Sequence, residues 1–314
     1  MIYIAGYGRS GSTVLGVVLG NHSEIVGGGE LAFILDEYSD GRRFCSCGDT
    51  YSDCIFWKEF FQSCESQVSE LREFNRKLEG IWGLWWFFWR KPCRRELWRY
   101  IRFQKSLLSY IRCRTGKKII VDSSKSARAA VCRVLALKRL IREDVFVVHL
   151  VRDGLSVLES VMLKGKNSEI EGCYPFQKRG PTRITLSWMI ANVSAFIFGR
   201  VVGPRRYLLV RYEDFIADPV AEMKRLGKFA GFEAGEVVEA LAAGRKFQVG
   251  HHVSGSRIRY QGEIQLFSET RLTGNVCLKL RDKLVFTIIA GWLKYLLGYR
   301  VLSRDKDSRV KNGN

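Results

Sequence analysis

Residues 2–13 read IYIAGYGRSGST, an apolar run that leads into a loop rich in glycine and serine. From Gly6 to Thr13 the loop has the spacing of a phosphate-binding P-loop, GxxxxGK[ST], with Ser12 in place of the lysine. Backbone N–H groups of such a loop, with a helix N-terminus behind them, form a positively polarised nest for phosphate. The cation of this loop is Arg9, whose planar guanidinium can hydrogen-bond two phosphate oxygens. The pattern therefore predicts an anion site, while the missing lysine disfavours nucleoside triphosphate hydrolysis and kinase chemistry.

Apolar runs of strand length alternate with segments of helix length along the rest of the chain. The runs cover residues 2–6, 118–124, 145–151 and 206–214. Continuous apolar strands separated by helices predict a parallel sheet that is covered on both faces. Helices are predicted at 12–21, 29–38, 65–79, 94–112, 126–141, 154–163, 182–199, 217–230 and 279–297. We therefore expect an α/β protein with a P-loop-like, three-layer fold, in which helices flank a central parallel sheet.

The composition describes a basic globular protein. The chain has 314 residues, of which 46% are hydrophobic, and a formal net charge of +19. These values exclude a disordered or collagen-like chain and predict anionic partners. Nine cysteines cannot all pair within the chain, so reduced thiols are expected. Because residues 1–12 lack the features of a secretory signal and the stretch Leu284 to Leu297 is too short to span a membrane, we expect a cytoplasmic protein, soluble or held at a membrane surface.

A second strand-to-helix junction lies in the sequence VVHLVRDG, residues 147–154. It places Arg152 at the carboxyl end of a predicted strand, where open α/β sheets bind ligands, and Ser160 two turns along the next helix. An Arg-Asp pair after a strand is often only a capping or salt-bridge device. Taken together with the first loop, Arg152 and Ser160 are better explained as half of a site for two phosphates.

Three motifs in order resemble the elements of sulfotransferases: GRSGST at 8–13, VRDGLSVLES at 151–160 and LLVRYEDFIADPVAEMKRLGKFAGF at 208–232. The resemblance spans about residues 1–300, except for an insert rich in tryptophan and arginine, and is nearest to bacterial, carbohydrate and tyrosylprotein sulfotransferases. It implies an enzyme that transfers the sulfuryl group of 3′-phosphoadenosine-5′-phosphosulfate (PAPS) to an acceptor hydroxyl, on a glycan or a lipid-linked acceptor. It also implies PAPS and the product bisphosphate (PAP) as ligands.

The resemblance also implies which residues bind the donor. Arg152 and Ser160 would hold the 3′-phosphate, and Tyr212 would lie near the adenine. The 5′-phosphosulfate would be held by the first loop, through Gly8, Arg9, Ser10, Gly11, Ser12 and Thr13.

A later segment, HHVSGSRIRY at 251–260, resembles the family loop that closes on the 3′-phosphate. Gly255 and Arg259 are therefore further candidates for donor binding. Ser256 follows the glycine here, whereas bacterial relatives usually have asparagine at that position.

Charged residues are the candidates for the chemical step. Lys125 follows a predicted strand and resembles a lysine at the reacting centre, so with Arg9 it would stabilise charge on the sulfuryl or leaving oxygen. Glu30 follows three glycines and resembles the family's base, which removes the proton of the acceptor hydroxyl. A solvated lysine and a first-turn helix acid are the plainer interpretations. His22 and His149 are rival bases, although a buried and hydrogen-bonded imidazole is the commoner outcome.

The segment from Cys45 to Trp57 contains Cys45-Ser46-Cys47 and Cys54. It suggests either a thiol cluster or a zinc site. No fourth ligand is evident, since Cys64 lies far along the next helix and structural zinc sites need four ligands. The resemblance implies a structural feature of the family, a packing element or a disulfide near the acceptor site. We expect no metal, because a cradle of Arg and Lys can replace Mg²⁺ in sulfuryl transfer.

The insert at about 81–117 contains five of the eight tryptophans, and Arg90 to Lys118 carries eleven Lys or Arg against one acid, a net +10. It has three interpretations: an anionic membrane surface binds to residues 81–118, the insert walls a cleft for an acidic or lipid-linked acceptor, or it is a solvated helical lid. Nucleic acid is not expected, because no nucleic-acid-binding motif accompanies the charge. We expect one sulfotransferase domain over 1–302 and a polar tail over 303–314. The alternative function is a non-catalytic, nucleotide-binding and membrane-peripheral protein of the same fold.

Overall fold

The structure is a computed structural model that describes residues 1–89, 93–165, 175, 177–266 and 278–300, so the polar tail lies outside the described residues. Its centre is a five-stranded sheet in the order β2-β3-β1-β4-β5, in which every neighbouring pair is parallel. The strands are β1 (Ile2–Ala5), β2 (Ile25–Gly29), β3 (Ile119–Asp122), β4 (Phe146–Val151) and β5 (Tyr207–Arg211). The predicted α/β architecture is confirmed.

Helices cover both faces of this sheet. In chain order they are α1 (Ser12–Gly20), α2 (Ile34–Ser39), α3 (Lys58–Gln62), α4 (Val68–Glu79), α5 (Gly83–Phe88), α6 (Arg94–Thr115), α7 (Arg133–Leu135), α8 (Gly154–Lys164), α9 (Pro181–Val202), α10 (Tyr212–Ala217), α11 (Pro219–Ala230), α12 (Gly235–Ala242) and α13 (Leu280–Leu296). Two short strands, β6 (Phe247–Gln248) and β7 (Glu263–Ile264), form a separate antiparallel pair.

Side chains of the central strand β1 point alternately to the two faces of the sheet, and each face is covered by helices. Ile2 and Ile4 of β1 pack with α1, α11 and α12 on one face, while Tyr3 and Ala5 pack with α4, α6 and α9 on the other. Successive side chains of a strand point to opposite faces, so a strand whose residues are all buried must be covered on both sides. A third apolar cluster joins α8, α9 and α13.

Some element boundaries differ from the sequence prediction. The predicted helix at 29–38 is divided, because Gly29 ends β2 and the helical conformation begins only at Leu31. Three consecutive glycines hide this strand from any pattern based on propensity. The predicted helix at 126–141 begins only at Arg133 and continues as a π-helical turn over Ala136–Ile141. Four short helices were not predicted, namely α3, α5, α10 and α12.

Helix α9 is, among the described helices, the one long and apolar enough to cross a membrane by length and composition. It packs against β4, β5, α8 and α13. Its Trp188, Ala191 and Ala195 are buried in the molecule. These contacts are those of a core helix.

Candidate active site

The carboxyl ends of all five parallel strands meet at one edge of the sheet, and each is followed by at least one candidate residue. In open α/β sheets this edge is where ligands bind. The residues that follow the strands are Arg9 after β1, Glu30 after β2, Lys125 after β3, Arg152 after β4 and Tyr212 after β5. The fold therefore brings together residues that lie up to 203 positions apart in sequence, from Arg9 to Tyr212.

The loop between β1 and α1 requires glycine at two positions. At Gly6, where φ is +120°, an added Cβ would lie 2.2 Å from the carbonyl oxygen of Leu150. At Gly11, where φ is +85°, it would lie 2.5 Å from the ring of Tyr212. Both positions combine a left-handed backbone with a close approach, which only glycine accepts without strain. A Cβ at Gly8, in contrast, would have no neighbour within 4 Å.

Two arginine side chains belong to this region. Arg152 donates from Nη1 to the carbonyl oxygen of Arg9 at 3.0 Å, and its guanidinium lies 4.7 Å from the centre of the Tyr212 ring. Arg9 donates from Nη2 to the carbonyl oxygen of Gly165 at 2.9 Å. Burial, and then the charge of Arg152, lower the pKa of Arg9. An anion bound between two such cations would relieve their repulsion.

Polar atoms of the same loop lack a protein partner among the described residues. The hydroxyl of Ser10 and the Nε of Arg9 are both buried and make no hydrogen bond. Buried polar groups in folded proteins are nearly always satisfied, so these two atoms can form hydrogen bonds with a ligand. Ser12 and Thr13 are also buried, in the first turn of α1. The loop therefore fits an anionic group that accepts hydrogen bonds.

Glu30 and Lys125 form a buried ion pair between Oε1 and Nζ. Lys125 has a left-handed backbone with φ at 69°, and its N–H donates to the carbonyl oxygen of Ile4 at 3.2 Å. The hydroxyl of Tyr3 donates to the carbonyl oxygen of Lys125. These contacts fix the turn after β3, so that the lysine side chain points toward the acid that follows β2.

The segment around Gly255 closes over this pair. Ser256 donates from its backbone N–H to Oγ1 of Thr13 at 3.1 Å, and Glu30 donates from its N–H to the carbonyl oxygen of Val253 at 2.6 Å. A Cβ at Gly255 would lie 3.0 Å from Oγ1 of Thr13 and 3.8 Å from Oε1 of Glu30. The segment 251–260 thus contacts both the first loop and Glu30, the candidate base.

Glu37 is a buried acid that the sequence analysis missed. Burial raises its pKa to about 7, although the nearby charges of Arg43 and Arg259 oppose the rise. Arg43 donates to it at 2.5 Å. Arg259 is itself buried, with its guanidinium 4.6 Å from the ring centre of Tyr260. An acid that titrates near neutrality can serve as a general acid or base. No local sequence signal marks Glu37, because its burial arises only when the chain packs.

The rival histidines are hydrogen-bonded elsewhere. His22 contacts the carbonyl oxygen of Glu233 at 2.7 Å. His149 lies between Tyr207 and Asn192, at 2.7 and 2.9 Å, and burial lowers its pKa to about 4. Both are buried structural groups, as the plainer interpretation predicted.

Ser160 lies half-buried in the second turn of α8, the helix that starts two residues after Arg152. Asp153 caps this helix by accepting from the N–H of Ser156 at 3.0 Å, and Glu213 accepts from the N–H of Asp153 at 3.0 Å. The two motifs that carry Arg152 and Tyr212 are therefore tied to each other.

Comparison with protein families gives one match. The sequence model of the family described as "Sulfotransferase family" matches residues 2–236. That range includes the first loop, Glu30, Lys125, Arg152 and Tyr212, and it ends before Gly255. Comparison with curated proteins finds no match.

Solved structures of similar fold carry the same family description. The sulfotransferase domain from the curacin biosynthetic pathway is 16% identical over 96% of this chain and 98% of its own, with a TM-score of 0.50. The sulfotransferase domain from the Synechococcus PCC 7002 olefin synthase is 20% identical over 76% and 75%, with a TM-score of 0.43. The sulfotransferase STF1 from Mycobacterium tuberculosis H37Rv is 13% identical over 91% and 75%, with a TM-score of 0.45. At 16% identity, the likeness to the domain from the curacin pathway concerns the fold alone.

Proposed function

Because this chain belongs to the sulfotransferase family, we propose that it transfers the sulfuryl group of PAPS to an acceptor hydroxyl on a glycan or a lipid-linked acceptor. PAPS, when bound, would supply an activated sulfuryl group and a bisphosphate leaving group. The observation that carries the proposal is the pair of guanidiniums, Arg9 and Arg152, beside a glycine loop that has unsatisfied buried polar atoms.

The residues at the sheet edge fit a ligand with two anionic ends. The first loop and Arg9 would hold the 5′-phosphosulfate, since the Ser10 hydroxyl and Nε of Arg9 are buried there without a partner among the described residues. Arg152, with Ser160 on the following helix, would hold the 3′-phosphate. Tyr212 covers Gly11 and Arg152 with its ring, a position suited to an adenine.

The buried pair of Glu30 and Lys125 suits proton removal from a hydroxyl. Glu30 would accept the proton of the acceptor, and Lys125 would stabilise charge that develops on the transferred group and the leaving oxygen. Lys125 would exchange this partner for an anionic donor oxygen, which leaves Glu30 available as the base.

The experiment that tests the donor site compares two ligands. We expect Arg152→Ala to weaken PAP binding by about 10- to 100-fold, because a charge-assisted hydrogen bond contributes about 1.5–3 kcal/mol. Binding of adenosine 5′-phosphosulfate, which lacks the 3′-phosphate, should change much less. Isothermal titration calorimetry measures both affinities.

Arg245→Ala is the matched control, because Arg245 is exposed, follows α12 and lies outside the segments that carry the candidate site residues. It should bind both ligands as the unmodified protein does. Equal losses of both ligands in Arg152→Ala would overturn the assignment of Arg152 to the 3′-phosphate. Transfer of labelled sulfate from PAPS to candidate hydroxyl acceptors tests the reaction itself.

A second candidate function is association with an anionic membrane surface, which the exposure of aromatic side chains in the insert favours. The exposed fractions of Trp82, Trp85 and Trp89 are 78%, 56% and 72%, far above the exposed fraction usual for tryptophan. Helix α6 adds exposed Trp98 and a set of exposed basic residues, Arg94, Arg95, Arg102 and Lys105. Aromatic rings beside basic residues are typical of protein segments that lie in the membrane interface.

A further inference from the structure

Three cysteines and one histidine converge at the segment between α2 and α3. Cys54 Sγ lies 3.3 Å from Nδ1 of His251 and 3.6 Å from Sγ of Cys47. Cys45 Sγ lies 3.7 Å from the same Nδ1. All four of these atoms lie within 4.8 Å of one another. His251 is 197 residues from Cys54, so the fold alone supplies the fourth member that the sequence did not reveal.

The spacing of these atoms is that of a tetrahedral metal site. Zinc bonds of about 2.3 Å to sulfur and about 2.0–2.1 Å to nitrogen put tetrahedral ligands about 3.8 Å apart for two sulfurs and about 3.6 Å for sulfur and nitrogen. The two observed sulfur–nitrogen separations, 3.3 and 3.7 Å, lie on either side of the tetrahedral value, and the sulfur–sulfur separation of 3.6 Å is slightly shorter than its own. Cys45, Cys47 and Cys54 are all free thiols in the structure.

The backbone around the cysteines is shaped to hold thiolates. Cys45 begins a tight turn in which its N–H donates to the carbonyl oxygen of Asp49 at 2.8 Å and its carbonyl accepts from Gly48 at 2.9 Å. Gly48 has φ at +98°, which favours glycine.

We propose that Cys45, Cys47, Cys54 and His251 bind one structural Zn²⁺ ion. Thiolate and imidazole ligands select zinc over Mg²⁺ and Ca²⁺, which prefer oxygen. Four protein ligands complete a tetrahedron and leave no open position for water or substrate, so the ion has a structural role.

The ion would anchor the segment that closes the active site. Ser46, between two of the ligands, donates to the carbonyl oxygen of Gly250 at 2.6 Å and accepts from the N–H of His252 at 2.7 Å. The ring of Phe56 stacks on His251 with centroids 5.1 Å apart. Directly after His252, Val253 accepts from Glu30. Zinc would therefore connect the turn after α2 to the segment that positions Glu30.

A cavity of about 310 Å³ borders the other side of this segment and is lined in part by Phe56, Gly250 and His251. It gives solvent, and with it a metal ion or a chelator, access to the histidine ligand. A site with such access can be loaded and stripped in the folded protein, which makes the proposal open to a direct test.

The test measures metal in the full chain, purified without chelator under reducing conditions. Mass spectrometry of the elements should find about one zinc per chain in the unmodified protein, as a closed four-ligand site requires. Cys54→Ser and His251→Ala should each reduce zinc to a small fraction of that amount. Cys113→Ser is the matched control, because Cys113 is exposed on α6 and outside the cluster, and it should retain the ion.

Cobalt substitution provides a readout that needs no variant. Co²⁺ bound to three thiolates and one imidazole should give the intense visible bands of a tetrahedral site and a charge-transfer band from sulfur, and zinc should displace it. A chelator should lower the melting temperature of the unmodified protein and of Cys113→Ser, but not that of His251→Ala. An unmodified chain that takes up neither zinc nor cobalt, that contains iron instead, or whose intact mass shows a disulfide among these cysteines would overturn the proposal.

Discussion

Glu30 and Lys125 are a buried acid and base whose pairing depends on two backbone features. Gly29 has φ at +73°, and a Cβ there would lie 2.3 Å from the carbonyl oxygen of Val253. Lys125 has φ at 69°, a conformation that costs energy in any residue with a Cβ. Strain of this kind persists where the surrounding structure determines it, and it clusters at functional sites.

Replacing Glu30 with glutamine tests its role as the base. We expect Glu30→Gln to reduce turnover by about 100- to 10,000-fold, the range that a general base contributes. PAP binding should remain within about threefold of normal, because the amide keeps the size of the side chain. Steady-state kinetics and calorimetry measure the two effects.

Glu239→Gln is the control, since Glu239 is exposed on α12 and should leave turnover unchanged. Normal turnover in Glu30→Gln would remove Glu30 from the role. Glu37, whose pKa of about 7 also suits proton transfer, would then be the next acid to replace.

The first loop offers a matched pair of glycines. Gly11→Ala should reduce stability by about 1–3 kcal/mol, because the new Cβ strains the backbone and collides with the ring of Tyr212. Gly8→Ala should have little effect on stability, since nothing lies near its Cβ. Thermal unfolding compares them, and equal losses for both variants would contradict the contact between Gly11 and Tyr212.

At the scale of elements, a buried charge network connects the sheet to its helical layer. Arg133, at the start of α7, donates to Glu79 of α4 at 2.5 Å, to Asp122 of β3 at 3.1 Å and to Gln104 of α6 at 3.0 Å. Arg133 and Glu79 have no exposed side-chain surface. Asp122, at the end of β3, thus helps to position the turn that carries Lys125.

Removing the cation of this network should destabilise the fold. We expect Arg133→Met to lose about 3–5 kcal/mol of unfolding free energy, because it leaves two carboxylates buried without their partner. Urea unfolding measures the loss. Adding Glu79→Gln and Asp122→Asn to the same chain should recover part of it, since the uncompensated charges are then gone.

Arg139→Met is the comparison for Arg133, because Arg139 is exposed and its guanidinium makes only a 5.9 Å contact with the Phe88 ring among those described. It should change stability by about 0.5 kcal/mol or less. If Arg133→Met lost as little unfolding free energy as Arg139→Met, the network would add no stability.

At the scale of the whole molecule, the net charge of +19 is unevenly distributed along the chain. Part of the basic block pairs with acids on other elements, as Arg99 does with Glu70 and Arg112 with Glu143. The exposed residues on α6 that remain lie near the exposed tryptophans of the insert in the chain. These pairs reduce the local excess of +10 in residues 90–118, whereas the +19 of the whole chain already includes the acids involved.

Vesicle binding tests this surface. The full chain should co-sediment with vesicles of phosphatidylglycerol and phosphatidylcholine at low salt, and less so at high salt, because screening weakens the charge attraction. The double variant Trp85→Ser, Trp89→Ser should bind about tenfold more weakly or worse, through the loss of buried apolar area.

Trp292→Ser provides the contrast, since Trp292 is 54% exposed on α13 and outside the insert. It should bind vesicles normally. Binding that is independent of the insert tryptophans, or equal on purely neutral vesicles, would contradict a membrane role for residues 81–118.

The sheet and the first loop could be predicted because their signals are local. A fully apolar strand, a glycine loop and a following helix lie within residues 2–20. Strand β2 was missed because three of its five residues are glycine, which has low strand propensity, and because the strand is stabilised by pairing with β3. The elevated pKa of Glu37 was missed because burial, which raises it, arises only when the chain packs.

The sequence by itself determined four of the five strands of the central sheet, the P-loop-like junction and the motifs that belong to the sulfotransferase family, because each depends on residues that are neighbours along the chain. Only the tertiary structure decided which distant residues meet. It paired Glu30 with Lys125, placed Arg152 against Arg9, and brought His251 to three cysteines about 200 residues away. Contacts of that kind depend on packing and burial, which no local pattern encodes.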